Sequence, residues 1–238
     1  MKILIIGGMH GNEPLGPSLI ADLKKNPIAG VDTIIGNPRA IKINERFTEQ
    51  DLNRSFPGNV KSAIYEERRA AKIVEACKGY DLVLDFHNTI PTDNDCSFIG
   101  DGANPLLLQV ASYLDLKRVI VADYNCINKY VPSCISIEIS INSLRMDRVQ
   151  WHTALQKLAA LKTLPAPQGL NFYRYVLTVT NDQCKKLQLD KQDLRVFQEI
   201  PLNVATQLNV APPAYPIFLG KSYSKGVYTG ILQKINNL

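Results

Sequence analysis

Two residues near the N-terminus, His10 and Glu13, have the side-chain types and spacing of metal ligands. They lie in the stretch "IIGGMHGNEPLG" at 5–16, directly after an apolar, β-branched segment, and glycines and a proline interrupt any helical pattern there. We therefore expect both side chains on a loop between a strand and a helix. Loops that leave the carboxyl ends of central strands are where open α/β sheets usually build their sites.

A second histidine, His87, ends the apolar segment YDLVLDFH at 80–87. With His10 and Glu13 it makes a His–Glu–His set, which matches the three protein ligands of a catalytic zinc and leaves a fourth position for water. Asp85 lies on the same side of this predicted strand, because side chains alternate, and it is a candidate partner for His87. The alternative is structural: a histidine at a strand end is common, and the HxxE spacing arises by chance.

An acidic residue, Glu138, interrupts the apolar segment SCISIEISI at 133–141. Isoleucines occupy one face of this predicted strand, and Ser136, Glu138 and Ser140 occupy the other. A carboxylate in so apolar a strand is costly unless it is paired, hydrogen-bonded or facing a polar cleft. We interpret Glu138 as a general base beside a metal, its pKa raised by burial and lowered by the cation. The alternative is a solvent-facing residue on a half-exposed edge strand.

The segment between the two histidines, "NPRAIKINERFTEQDLNRSFPG" at 37–58, carries Arg46, Asn53 and Arg54 with little apolar periodicity. Two guanidinium groups and an amide on irregular backbone suit the binding of a carboxylate, since the arginine fork matches both oxygens. One arginine could equally stabilise an oxyanion. Taken alone, the segment could also be a solvated loop.

Alternating strand-like and helix-like segments must position these residues. The predicted strands are KILIIG (2–7), VDTIIGN (31–37), YDLVLDFH (80–87), KRVIVAD (117–123) and SCISIEISI (133–141). The predicted helices span 15–25, 61–78, 104–114 and 143–161. Such alternation predicts an α/β fold with a mostly parallel sheet and helices on both faces.

The pattern changes after about residue 163, where prolines and a glycine precede segments rich in Tyr, Val and Thr. The strand-like pieces there are RYVLTVTN (174–181), RVFQEI (195–200), AYPIFLG (214–220) and GVYTGILQKI (226–235). We therefore predict two domains, a catalytic domain at 1–165 and a small all-β domain at 166–238.

Composition narrows the class of function. The chain has 238 residues, with 27 basic and 22 acidic side chains and a net charge of +5. No dense basic run is present, so this excess fits small anionic ligands and argues against nucleic acid. Five cysteines without regular spacing argue against a disulfide framework and for a reducing compartment. The apolar start is too short for a signal peptide or a membrane span. We expect a cytoplasmic protein; a homo-oligomer is compatible with the sequence.

Five ordered motifs in the first 140 residues, HGNE, NPRA, DLNRSFPG, DFHNT and IEIS, closely resemble the aspartoacylase/succinylglutamate desuccinylase family. That family is a branch of the zinc carboxypeptidase-like hydrolases. The resemblance implies that His10, Glu13 and His87 bind one zinc ion. It also implies that Glu138 activates water and passes its proton to the leaving amine, and that Arg46 polarises the scissile carbonyl and holds the oxyanion.

The resemblance further implies a substrate site. Asn53 and Arg54 would bind the α-carboxylate of the amino-acid part. Asn88 would line the pocket, and Tyr223 would extend into the pocket from the C-terminal domain. The family's arginine that binds the side-chain carboxylate of aspartate is replaced by Asn128. The acyl group and the amino acid therefore stay open.

The function expected from these residues is zinc-dependent hydrolysis of the amide bond in a small, anionic N-acyl amino acid. The first alternative is a zinc carboxypeptidase that acts on short peptides and uses the same residues. The second is a non-catalytic carboxylate-binding or regulatory protein that keeps the fold.

Overall fold

The strands form one mixed sheet in the computed structural model, which describes residues 1–89, 95–189, 194–219 and 226–236. In chain order they are β1 Ile3–Gly7, β2 Val31–Ile35, β3 Leu82–Thr89, β4 Cys96–Gly100, β5 Arg118–Ala122, β6 Cys134–Ser140, β7 Asn171–Thr180, β8 Ala214–Ile217 and β9 Val227–Ile235. Their order across the sheet is β2-β1-β3-β6-β4-β5-β7-β9-β8.

Helices connect the strands. They are α1 Leu15–Lys25, α2 Pro38–Ile43, α3 Tyr65–Ala76, α4 Pro105–Tyr113, α5 Ile127–Tyr130, α6 Arg148–Ala160, α7 Asn181–Lys186 and α8 Leu202–Gln207. Short 3₁₀ turns lie at Leu52–Arg54 and Leu144–Met146. Within the described ranges, no helix combines the length and the apolar character that a membrane crossing requires.

The strands that carry the candidate ligands run in the same direction. β1 pairs in parallel with β2 and β3, and β3 pairs in parallel with β6. β4 then pairs with β6 in the antiparallel sense, while β5 is parallel to β4. The carboxyl ends of β1, β3 and β6 consequently meet at one edge, where the sequence predicts the site.

Both faces of the sheet are covered, which confirms the predicted α/β class. On one face, α1, α4 and α6 pack on a continuous apolar core whose central strand residues include Ile137 and Ile139. The other face carries two apolar clusters, one around Val83 and Cys134 beneath α3 and one around Cys96 and Phe98. A strip of polar residues lies between these two clusters. The strip contains Asp85, His87, Ser136 and Glu138.

Glycines allow close contacts where the site is built. A Cβ on Gly7 at the end of β1 would lie 2.4 Å from the backbone of Gly16, so the start of α1 lies directly against β1. A Cβ on Gly11, inside the HGNE motif, would lie 2.1 Å from the backbone of Ala40 in α2. Side chains at these positions would force the loop and the helices apart.

Most predicted elements of the first 165 residues are confirmed, with shifts of a few residues at their ends. The antiparallel strand β4 was not predicted, because five residues with a terminal glycine give little periodic signal. All five cysteines are buried thiols.

The C-terminal region is β-rich but differs from the expectation in two ways. Residues 195–200, predicted as a strand, form none, and the short helices α7 and α8 lie between the strands. Moreover, β7 pairs in parallel with β5, so the C-terminal strands continue the main sheet. The division into domains at 165 and 166 stays a prediction.

Candidate active site

His10, Glu13 and His87 come together in the interior. His10 and Glu13 lie on the loop between β1 and α1, and His87 lies in β3. His10 Nδ1 is 2.7 Å from Glu13 Oε1, and His87 Nδ1 is 3.0 Å from Glu13 Oε2. Their ligand atoms all lie within 4.8 Å of one another. Two imidazole nitrogens and a carboxylate, each almost fully buried, form a donor set of the type that zinc prefers.

Each histidine presents its other ring nitrogen to a second carboxylate. His87 Nε2 is 2.7 Å from Asp85 Oδ2, and His10 Nε2 is 3.1 Å from Asp51 Oδ1. Carboxylates in these places fix the ring orientation and turn both Nδ1 atoms toward Glu13, the side on which a metal would bind. The structure therefore supports the expected role of Asp85 and adds Asp51, which the sequence interpretation overlooked.

Arg46 shares Asp51 with His10. Its Nε and Nη2 atoms donate to Asp51 Oδ2 at 3.0 and 2.7 Å, and its Nη1 atom lies 3.6 Å from Glu13 Oε1. A guanidinium group so close to the His–Glu–His set can stabilise negative charge that develops on an oxygen there. Asp51 thereby holds the guanidinium group in a fixed position, and the oxyanion role of Arg46 stays a prediction.

Glu138 lies beside His87 because of strand register. The two residues are direct partners across the parallel pair β3 and β6, while Cys96 of β4 is the partner of Glu138 on the other side. Paired residues project from the same face of a sheet, so the Glu138 carboxyl faces the three candidate ligands. Burial raises the pKa of Glu138 to about 7, the range that suits a proton acceptor.

The buried charges depend on one another. Burial alone would raise the pKa of Glu13, but the adjacent His10 and His87 hold it well below its ordinary range. Burial likewise opposes the charge of Asp51, yet His10 and Arg46 keep its pKa low. Burial lowers the pKa of His87, but Asp85 and Glu13 outweigh this and raise it well above its usual value. The centre is therefore a network of paired charges.

Asn53 and Arg54 reach the same cavity from the 3₁₀ turn. Asp51 begins this turn and its side chain accepts the Asn53 backbone N–H at 2.9 Å. Asn53 Oδ1 accepts the backbone N–H of Ile127 at 3.2 Å, and the Arg54 guanidinium lies 4.7 Å from the centre of the Tyr124 ring. The cavity measures about 240 Å³. Its wall is formed by His10, Glu13, Arg46, Asn53, Arg54, Tyr124, Glu138, Tyr175, Thr178, Phe218, Val227 and Gly230.

Asn88 has a different role from the one expected. Its side chain accepts the backbone N–H of Leu15 at 2.9 Å and donates to the carbonyl of Ile139 at 3.2 Å. It thereby supplies the cap that α1 lacks, since Pro14 offers no side-chain acceptor. The buried side chain is turned into the protein and forms no part of the described cavity wall.

Two other predicted positions complete the description. Asn128 is buried and donates to the carbonyls of Phe98 and Cys134, so it too is structural. Tyr223 lies outside the described residues. Tyr124 and Tyr175 were not predicted as site residues, because only the tertiary structure brings them close to Arg54. The one local indication was that Tyr124 comes shortly after the end of a strand.

Comparison with known proteins gives a consistent picture. Residues 1–158 match the family described as the succinylglutamate desuccinylase/aspartoacylase catalytic domain. A probable aspartoacylase from Nostoc sp. is 32% identical over 139 residues, which cover 52% of this chain and 47% of that protein. An N-acyl-aromatic-L-amino acid amidohydrolase (carboxylate-forming) from Rattus norvegicus is 27% identical over 136 residues, covering 50% of this chain and 43% of the relative.

The fold is shared with solved structures. Succinylglutamate desuccinylase from Chromobacterium violaceum superimposes with a TM-score of 0.76 at 15% identity, over 99% of this chain and 85% of the other. The architecture is therefore the zinc carboxypeptidase-like fold that the sequence predicts. The chain spans about half the length of the curated relatives it matches.

Proposed function

Because the chain belongs to the succinylglutamate desuccinylase/aspartoacylase family, we propose that it is a zinc-dependent hydrolase of small N-acyl amino acids. One observation carries this proposal. A buried His–Glu–His set lies at one cavity, whose wall includes two of its members, His10 and Glu13, together with a carboxylate on the strand next to His87 and two arginines. Those are the groups that metal-assisted amide hydrolysis requires.

The donor set fits zinc, since His10, Glu13 and His87 offer two imidazole nitrogens and one carboxylate oxygen from a buried position. Zinc bound there would act as a Lewis acid and ease the deprotonation of water near neutral pH. Asp51 and Asp85 would keep both histidine rings in the orientation that binds it.

Side chains of the protein carry out proton transfer, charge stabilisation and substrate binding. Glu138 takes a proton from the attacking water and returns it to the nitrogen of the leaving amino acid. Arg46, held by Asp51, stabilises the negative charge that develops on the carbonyl oxygen. Arg54 and Asn53 bind the α-carboxylate of the amino-acid part, since a guanidinium group pairs with both of its oxygens.

The size of the cavity favours a single N-acyl amino acid. The cavity has a volume of about 240 Å³. Such a space suits a small ligand better than an extended peptide. The relatives from Nostoc sp. and rat are named for reactions of this class, which supports the proposal. The buried cysteine thiols are compatible with a reducing compartment such as the cytoplasm.

The decisive experiment is a screen of N-acyl amino acids against the zinc-loaded protein, with acyl group and side chain varied separately. We expect release of the free amino acid, together with close to one zinc per chain. Cleavage of short peptides without any N-acyl amino acid hydrolysis would instead indicate the carboxypeptidase. A protein that keeps far less than one zinc and hydrolyses neither class would be a non-catalytic member.

A further inference from the structure

We propose that the cavity selects N-acyl amino acids whose side chain is uncharged and aromatic or bulky apolar, through a wall formed by Tyr124 and Tyr175. This inference rests on the proposed function and names the substrate class of the same site. It follows from where these rings lie relative to Arg54 and from the charges of the described cavity wall.

The wall is a continuous group of aromatic rings. The centres of Tyr124 and Tyr175 lie 5.2 Å apart with one ring edge-on to the other, the arrangement that aromatic pairs prefer. Behind them, Phe98 approaches Tyr124 at 6.5 Å and stacks on Phe218 at 6.0 Å. Tyr124 and Tyr175 are partly exposed and line the cavity, so a flat or apolar group could lie against them.

The position of Arg54 directs the substrate side chain toward this wall. Its guanidinium carbon lies 4.7 Å from the centre of the Tyr124 ring. In any α-amino acid, the α-carboxylate and the side chain are attached to the same carbon. A carboxylate held by Arg54 therefore leaves its side chain within reach of Tyr124 and Tyr175.

The charges of the wall disfavour an acidic side chain. Among the described lining residues, the basic side chains of arginine or lysine are those of Arg46 and Arg54. Arg46 is engaged by Asp51, and Arg54 is assigned to the α-carboxylate. A second substrate carboxylate would enter an aromatic wall on the same cavity as Glu138, where described residues provide no further cation to pair with it.

Gly230 fixes the position of Tyr175. A Cβ at this position would lie 2.5 Å from the ring carbon Cε2 and 2.8 Å from the hydroxyl oxygen of Tyr175. The same hydroxyl lies 2.9 Å from Thr178 Oγ1, which holds the far end of the ring. A side chain at 230 would therefore push the ring out of its place, and Gly230 is a specificity-determining position even though it brings no functional group.

The test measures binding with the zinc-loaded Glu138→Gln protein, so that ligands are not consumed. N-acetylglycine is the reference because it has no side chain, and N-acetyl-L-phenylalanine and N-acetyl-L-aspartate are compared with it by calorimetry. We expect the phenylalanine derivative to bind roughly tenfold or more tighter than the aspartate derivative. Tighter binding of the aspartate derivative, or no binding of the phenylalanine derivative, would overturn the inference.

Single substitutions test whether the aromatic wall causes the binding preference. In the same background, Tyr175→Leu and Gly230→Ala should each lower the phenylalanine-to-glycine affinity ratio by about fivefold, within the range measured for aromatic pairs. Tyr215→Leu is the matched control, since that ring packs on Tyr173 and does not line the cavity. An unchanged ratio in both test variants would refute the role of the wall. If the binding preference holds while the wild-type protein hydrolyses none of these compounds, the proposed function fails and the inference stands.

Discussion

His87 on β3 and Glu138 on β6 lie directly opposite each other in the parallel register of neighbouring strands. This pairing brings a candidate metal ligand and a candidate base onto one face without any loop between them. A shift of one residue in either strand would turn one of them into the apolar core on the other face. The sheet itself thus sets the relative position of His87 and Glu138.

The first prediction concerns the base. Glu138→Gln keeps the shape of the side chain but cannot accept a proton, so kcat should fall by roughly 10³-fold while zinc content stays near that of the wild type. Steady-state kinetics and metal analysis of the same preparation measure both. Near-normal turnover would remove Glu138 from the mechanism.

The second prediction separates the two carboxylates behind the histidines. Asp85→Asn weakens only the support of His87, so it should lower zinc affinity about 10- to 100-fold and change kcat little once zinc is saturating. Asp51→Asn loses the support of His10 and of Arg46 together, so kcat should stay low even at saturating zinc. Zinc titrations followed by activity distinguish the pair, and identical kcat values would contradict the link from Asp51 to Arg46.

The third prediction concerns Arg54. Arg54→Ala should raise KM for substrates with a free α-carboxylate by roughly 10- to 100-fold, because a charged hydrogen-bonded pair is lost. The same variant should affect α-amidated analogues much less. Arg39→Ala is the control, since that exposed arginine lies over Tyr65 and outside the cavity wall. Equal losses on both substrate series would argue against carboxylate binding.

The fourth prediction uses metal removal. A ligand that binds the native state alone stabilises it by about 2.7 kcal/mol at a hundredfold excess over its Kd. Chelation should therefore lower the Tm, and added zinc should restore it. His87→Ala should abolish the response, whereas His152→Ala should retain it, because His152 contacts the Asn26 carbonyl and belongs neither to the candidate ligand set nor to the cavity wall. A chelator-insensitive Tm in the wild type would speak against a resident metal.

The fifth prediction concerns Glu66, which supports the segment that carries Arg46. Burial opposes its charge, but hydrogen bonds from Thr48, Asn37 and the backbone of Glu49 lower its pKa below the ordinary value of 4.5. A carboxyl whose pKa is lower in the folded state stabilises the protein above its unfolded pKa. That stabilisation is lost as the pH falls through the folded pKa.

Glu66→Gln should accordingly cost about 2 kcal/mol of unfolding free energy at pH 7. The difference between the two proteins should begin to shrink below about pH 4.5 and should continue to shrink as the pH falls through the lower folded pKa of Glu66. Urea unfolding at several pH values measures it. A difference that stays constant down to the acid transition would show that the charge of Glu66 is not the cause.

The sequence was sufficient to predict a site residue wherever the neighbouring residues in the chain carry the pattern. His10 follows a strongly apolar strand, His87 lies near the end of another, and the alternation around Glu138 indicates the face on which its carboxyl lies. The role of Asp51 was not predicted, because its contact with His10 joins residues that are 41 positions apart in the chain. Asn88 was misjudged for a related reason, since an amide next to a ligand looks like a pocket residue until α1 is seen to need a cap.

Gly11 shows how much a residue without a side chain can determine. Its Cα lies so close to the backbone of Ala40 that even a methyl group would have to displace the loop on which His10 and Glu13 are carried. An inactive Gly11→Ala protein would resemble a chemical knockout in any screen of variants, although every reactive atom would still be present. The loss of activity would come from a steric clash between two segments of main chain.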